Sequence, residues 1–542
     1  LSITGAAYRY ANPTAHTPEP VAFGNFHVGD TNPMMALSMT NNVLADGFSE
    51  ALNASIGGVA GGIFANGSFS LLAPGATNNT SLLVGFSTSM AGSHNGTASI
   101  FLQSDGTGSS GLGITNLASQ IVNVSGAVYR YAAPVVNTPL PVAFANSHVG
   151  DFVSQALSVT NNVPNDTFSE RLDASFTGST GNATASGLFA LLGAGATNNS
   201  SLLVGLDTSM AGFRSGSATI GFISNGNGTS GLGTTALPGQ TVNVSGNVYR
   251  YANPTAHTPE PIAFGVVHIG DAVSTVGVSL TNNVPADGFS ESLNATIGGG
   301  TNGVTASGSF THLAPGATNN SSLQVGINTA TAGSRNGTAT IGLISDGASS
   351  SGLGLTTLPS QTVNVTGQVN FYADPVIIFR SGSASLIMNS ATNYTLDFGQ
   401  LAQNSGTYAA MVGLLNLLHD ATYQDTLGGT FDLSMVSNFL LTGFNTFAGV
   451  TSGTSHDVSV GFDSNRAAGT YSNSLFFNPT SGNTSSTTNL GAIQLNLQAQ
   501  VVVVPEPSTW GMIVSGTLVL LACQRSRRRV SALSSPARKR RA

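Results

Sequence analysis

Three copies of the tetrapeptide His-(Val/Ile)-Gly-Asp, beginning at His27, His148 and His268, hold the residues of this 542-residue chain best suited to chemistry. An imidazole and a carboxylate three residues apart offer one nitrogen and one oxygen ligand, and Glu50, in a Phe-Ser-Glu segment that recurs with them, offers a third. His27, Asp30 and Glu50 are therefore a candidate site for a divalent metal. The competing reading is structural: Gly29 makes a turn and Asp30 accepts backbone N–H bonds across it. Calcium is the better metal candidate for so acidic a body, because Asp, Asn and Gly loops supply oxygen ligands. Its candidates are Asp105 and Asp346 in Ser-Asp-Gly, and Asp46, Asp166 and Asp287 in Ala-Asp-Gly or Asn-Asp-Thr; none has the spacing of a twelve-residue calcium loop.

Catalytic chemistry finds less support. The chain has no Gly-x-Ser-x-Gly elbow, and its single cysteine, Cys523, lies in an apolar run near the C-terminus. The nine histidines follow the repeats instead of gathering beside an acid–base partner, and no closely spaced carboxylate pair of the glycosidase kind is present. A non-enzymatic protein without a cofactor is expected. The recurrent Tyr-Arg-Tyr suits sugar stacking or cation–π contact, but its place between a strand and a linker favours packing between domains.

What must position these residues is a set of repeats. Tyr-Arg-Tyr-Ala starts at Tyr8, Tyr129 and Tyr249; Thr-Asn-Asn at Thr40, Thr160 and Thr281; Phe-Ser-Glu at Phe48, Phe168 and Phe289; Ser-Gly-Leu-Gly at Ser110, Ser230 and Ser351. Each recurs after 120 or 121 residues. A diverged fourth unit follows in phase, with Leu396–Leu401 at the place of Val-Ala-Phe-Gly and Gly491–Val501 at the place of the closing Val-Asn-Val strand. Its middle, Met411–Tyr423, replaces the Thr-Asn-Asn segment and reads as a longer strand in preference to a short helix. Within a unit the apolar residues alternate: Leu37 with Met39, Leu52 with Ala54 and Ile56, Val122 with Val124 and Val128. Alternation of this kind predicts antiparallel strands with one face buried, and the Gly, Asn and Asp clusters between them predict tight turns. About seven short strands per unit give a two-sheet sandwich.

The fold class is all-β: tandem Ig-like β-sandwich repeats of about 120 residues, then one short C-terminal transmembrane helix. Residues 1–19 read as the last strand of a truncated repeat plus a linker, since Leu1–Tyr10 matches Val122–Tyr131. Sandwiches are expected at 20–133, 134–253, 254–373 and 374–504, joined as an extended rod by linkers whose prolines limit bending.

Charge separates the body from the tail. Charged residues are only 7% of the chain; residues 505–542 hold eight basic residues and one acid, leaving 1–504 with eight Arg, 22 acids and no Lys. Such a body has no phosphate-binding stripe, so nucleic acid is not an expected partner. In the tail, Pro505, Glu506 and Pro507 precede an apolar run from Trp510 to Cys523, containing Gly511, Met512, Ile513, Val514, Leu518, Val519, Leu520 and Leu521. Arg525, Arg527, Arg528 and Arg529 close it and would stay cytoplasmic under the positive-inside rule. Fourteen residues are short of a full span, a deficit that Trp510 and snorkelling Arg side chains make up. The two prolines keep the tripeptide extended, in the form a protease binds.

This order, Pro-Glu-Pro, hydrophobic helix, Arg cluster, resembles the PEP-CTERM sorting signal over 505–529, with a basic tail at 530–542 beyond it. The body is similar to the choice-of-anchor D sandwiches through its Ala-Phe-Gly, Gly-Ala-Thr-Asn-Asn and Val-Asn-Val segments. The resemblance implies an exported substrate of an exosortase, held at the inner membrane as a precursor and then placed on the cell surface or in an exopolysaccharide-associated, biofilm-type matrix. A structural repeat protein is the first expectation and an adhesin or carbohydrate-binding module array the alternative.

Overall fold

The computed structural model describes residues 1–503, which hold 39 strands and no helix. They form two compact units: one comprises Leu1–Tyr251, Pro285–Glu291 and Gly347–Gly354; the other comprises Ala252–Val284, Ser292–Asp346 and the chain from Leu355 onward. The sorting tripeptide, the apolar run and the Arg cluster of 505–529 lie outside the described residues. Among the described residues no helix is long and apolar enough to cross a membrane.

The first repeat shows how the sequence builds its sandwich. Its strands are β1 (Val21–His27), β2 (Met34–Thr40), β3 (Ala51–Ala60), β4 (Ile63–Asn66), β5 (Ser68–Leu72), β6 (Thr77–Phe86), β7 (Gly92–Ser93), β8 (Gly96–Asp105) and β9 (Ile114–Tyr129). One sheet has the order β1-β9-β8-β3-β5, with β7 also on β9, and the other is β2-β6-β4. Leu37, Met39, Leu82 and Val84 of the smaller sheet are buried with Leu52, Ile100, Val122 and Val124 of the larger. These are the alternate positions of their strands, as two sheets packed face to face require. Nine strands form instead of seven because β7 is a two-residue piece and Gly67 breaks one strand into β4 and β5. At Gly67 φ is +116°, and an added Cβ would lie 1.8 Å from the Ser81 carbonyl oxygen, so only glycine fits.

One pairing departs from the antiparallel expectation. β1 runs parallel to β9, from Val21 opposite Val124 to His27 opposite Tyr129. First and last strands thus end at the same edge, and the residue that opens the His-Val-Gly-Asp turn comes to lie beside the start of the next Tyr-Arg-Tyr. The second and third repeats keep this arrangement: Ser147–His148 is parallel to Thr234–Tyr249, and Ile262–His268 to Leu355–Asn370. In the fourth, Asn393–Ala402 is parallel to Ile493–Val502; of the segment expected as a longer strand, the part up to Asn416 belongs to the strand Thr407–Asn416, and residues 417–423 form a loop with no helical turn.

The linkers are docked parts of the sandwiches. Ala11, Ala132, Ala252 and Ala373 are buried in the core of the repeat that follows them. Pro13 bridges Asn41, and Thr17 bridges Ser38, alongside β2. The first sandwich therefore begins near residue 11, inside the stretch 1–19 read from sequence as strand and linker.

Candidate functional site: repeated histidine joints

His27 ends β1, and its backbone N–H donates to Asp30 Oδ2 at 2.7 Å across the turn at Gly29, where φ is +90°. Its ring stacks on Tyr131 with centroids 4.0 Å apart, and its Nε2 lies 2.8 Å from Glu170 Oε1. Glu170 is fully buried; it also accepts from the Ser224 hydroxyl at 2.6 Å and from the Ser230 hydroxyl. Asn25 Nδ2 donates to the Ser230 carbonyl beside it. The joint is thus made from β1 of one repeat and the Phe-Ser-Glu and Ser-Gly-Leu-Gly segments of the next.

The same parts recur twice. His148 stacks on Tyr251 at 3.9 Å and places Nε2 2.8 Å from Glu291 Oε1, with Asn146 donating to the Ser351 carbonyl. In the second compact unit His268 stacks on Tyr372 at 3.6 Å and meets Asp425 Oδ2 at 2.8 Å. Asp425 also accepts from Ser481 Oγ at 2.8 Å and Asn370 Nδ2 at 2.9 Å. Burial and the nearby Asp271 and Asp425 carboxylates push the Tyr372 hydroxyl above the usual tyrosine range. A buried carboxylate is costly unless paired and hydrogen-bonded, and each of these joint carboxylates has an imidazole and at least one hydroxyl on it.

A more exposed pair lies beside the first three Phe-Ser-Glu segments: Arg9–Asp46 at 2.7 Å, Arg130–Asp166 at 2.6 Å and Arg250–Asp287 at 2.6 Å. Burial raises Asp166, but bonds from Arg130, the Phe168 amide and Ser169 outweigh it and hold the carboxyl below its usual range. A depressed carboxyl stabilises the fold above its unfolded value of 3.8, and that contribution is lost as pH falls through the folded value. Arg130→Ala should therefore lower stability at pH 7 by only about 0.5 kcal/mol, as for other solvent-exposed pairs. The difference from the parent chain should fade in urea titrations as pH falls below 3.8 and Asp166 takes up its proton, which removes its charge.

An asparagine fixes the carboxylate's strand from behind. Asn161 is fully buried; its Oδ1 accepts from Ala133 N at 3.1 Å, and its Nδ2 donates to the Glu170 and Leu192 carbonyls at 3.0 and 3.3 Å. Asn41 does the same for Asn12, Glu50 and Leu72, and Asn416 for Asp374, Asp425 and Val450. The fourth repeat thus keeps the bridging asparagine, as Asn416, inside the Met411–Tyr423 segment that stands in place of Thr-Asn-Asn.

The metal triad does not assemble. His27 and Asp30 share a turn, but the carboxylate on His27 is Glu170, 143 positions along the chain. Glu50 is the acceptor half of a joint, buried and accepting from Ser104 and Ser110 at 2.5 Å each. Among the described residues no group of three or more His, Cys, Asp or Glu is placed to hold a metal ion. The calcium candidates are occupied by the protein: Asp105 by Thr107 and Asn53, Asp346 by Asn294, and Asp46, Asp166 and Asp287 by their arginines. Sequence reasoning missed the serines and asparagines of the joint, although their strings, Ser-Gly-Leu-Gly and Thr-Asn-Asn, were among its repeat markers.

No family model matches the chain, and no curated relative matches it. Among solved structures it is similar to a four-domain fragment described as PcdhgB3 EC1-4, with 11% identity, 90% of this chain and 100% of that one covered, and a TM-score of 0.33. It is similar to mouse cadherin-23 EC22-24 with 10% identity, 66% and 99% coverage and a TM-score of 0.30. Titin domains I67–I69 give 9% identity, 69% and 99% coverage and 0.28.

Proposed function

We propose that the protein is a non-enzymatic component of the cell surface or extracellular matrix. Its sandwich repeats act as a spacer, and the chain is exported and sorted by an exosortase through Pro505, Glu506 and Pro507. The inner membrane holds the precursor by the segment Trp510–Cys523, and exopolysaccharide surrounds the mature form. The observation that carries the spacer reading is the fate of the reactive residue types. His27, Glu170, Ser230 and Tyr131, and their counterparts, are engaged in tying the repeats to one another. The sorting reading rests on the order of the C-terminal sequence.

Mass spectrometry of the C-terminal peptide, on protein collected from host cells and from matrix, tests the sorting. A mature end near Pro507, with Trp510–Ala542 missing, is the expected result; a chain still ending at Ala542 would reduce the segment to a plain membrane anchor. The adhesin alternative predicts reproducible binding of the chain on a glycan array.

A further inference from the structure

The linkers of the first and third repeats carry a device that the second lacks. His16, 5% exposed, places Nδ1 2.9 Å from Gln120 Oε1 and Nε2 2.7 Å from Glu19 Oε2. The Gln120 amide has a fixed orientation, because its Oε1 accepts from the His16 backbone N–H at 2.9 Å and its Nε2 donates to the Thr14 carbonyl at 2.9 Å. Glu19 in turn accepts from the Asn123 backbone N–H and side-chain amide. Both ring nitrogens of His16 therefore face acceptors, and only an imidazole bearing two protons satisfies both. The third repeat repeats every contact: His257 Nδ1 on Gln361 at 2.9 Å, Nε2 on Glu260 at 2.6 Å, and Gln361 Nε2 on the Thr255 carbonyl at 2.8 Å. In the second repeat Asn137 and Leu140 stand at the two positions, and Gln240 donates instead to the Thr241 carbonyl.

We propose that the Glu-His-Gln constellations at His16 and His257 are pH-gated latches that hold residues 11–20 and 252–261 against their sandwiches while the imidazole is protonated, and release them when it is neutral. The charged group that an interaction places on each ring is the glutamate of its own linker; the strand behind contributes only neutral Gln120 and Asn123, or Gln361 and Asn364. Loss of one ring proton leaves a nitrogen lone pair facing a carboxylate or a carbonyl oxygen inside a buried contact. The glutamates remain ionised through this range: burial raises Glu19, but bonds from Asn123 and His16 outweigh it, and the balance is the same at Glu260. The latch thus holds while both ring nitrogens carry a proton for the two acceptors and is lost when one of those protons leaves at higher pH.

Hydrogen exchange of the full chain, read by mass spectrometry at pH 5.5 and pH 8 and corrected for intrinsic rates, tests this. Protection of peptides covering 11–20 and 252–261 should fall about tenfold at the higher pH, the scale of one charge-assisted bond, while 132–141 stays unchanged. The double variant His16→Asn, Glu19→Leu should remove the pH response of 11–20 and leave that of 252–261 intact. Equal behaviour of all three linkers, or a response of 11–20 that survives the double variant, would overturn the proposal.

Discussion

Glu170→Ala is expected to lower the stability of the second sandwich and its joint by about 3–5 kcal/mol, the cost of leaving several buried hydrogen-bond donors without their acceptor at about 1–3 kcal/mol each. The variant strips the acceptor from His27 Nε2 and from the hydroxyls of Ser224 and Ser230, all of which are buried with it. Urea unfolding read by tryptic cleavage is the suitable measurement, because a chain of several sandwiches does not unfold in one step. Cleavage between the first and second repeats should appear at lower urea than in the parent chain. A double-mutant cycle with His27→Ala should return a coupling of about 1.5–3 kcal/mol, as for hydrogen bonds to charged groups. Glu50→Ala is the control, since Glu50 has the two serines and no histidine. If Glu50→Ala costs as much as Glu170→Ala, His27 adds nothing to the joint.

Asn161→Ala should cost about 2–4 kcal/mol, because it leaves the Ala133 N–H and the Glu170 and Leu192 carbonyls without partners in a buried place. Asn161→Asp tests the direction of the bonds: it keeps an acceptor for Ala133 but turns a carboxylate oxygen toward two carbonyls, so it should be at least as damaging as alanine. Asn416→Ala should reproduce the loss in the fourth repeat, where the same three bonds recur. Thermal melts of the three variants would check this, and a loss below 1 kcal/mol for Asn161→Ala would mean that water replaces the amide.

Much of the architecture was legible in the chain. Alternation at Leu37 and Met39, or at Val122 and Val124, assigns a buried face by itself, because a strand has a side-chain period of two. The parallel β1–β9 pair left no such mark, since alternation does not encode the direction of a neighbour. The chemistry of His27 was misplaced for a related reason. Periodicity groups Glu50 with His27 because both recur in each of the first three units, yet strict recurrence cannot distinguish a contact within a repeat from one made with the next copy. Glu50 and Glu170 are equivalent by sequence, and only the fold selects the second. The linkers showed the opposite difficulty: their prolines suggested stiff spacers between sandwiches, while buried Ala11 and the Thr17–Ser38 bridge make them part of the sheet.

The joint is polar in the directional sense: each of the first three repeats carries a donor half, such as His148 and Asp151, and an acceptor half, such as Glu170, Ser224 and Ser230. Excision of residues 132–251 from the gene would bring His27 against Glu291 in place of Glu170, with the same serine waiting at Ser351. Loss or gain of the first or second repeat by recombination between copies therefore brings matching halves together without a compensating substitution, whereas the third repeat is keyed to the fourth by Asn370, where Tyr129 and Tyr249 stand in the earlier copies.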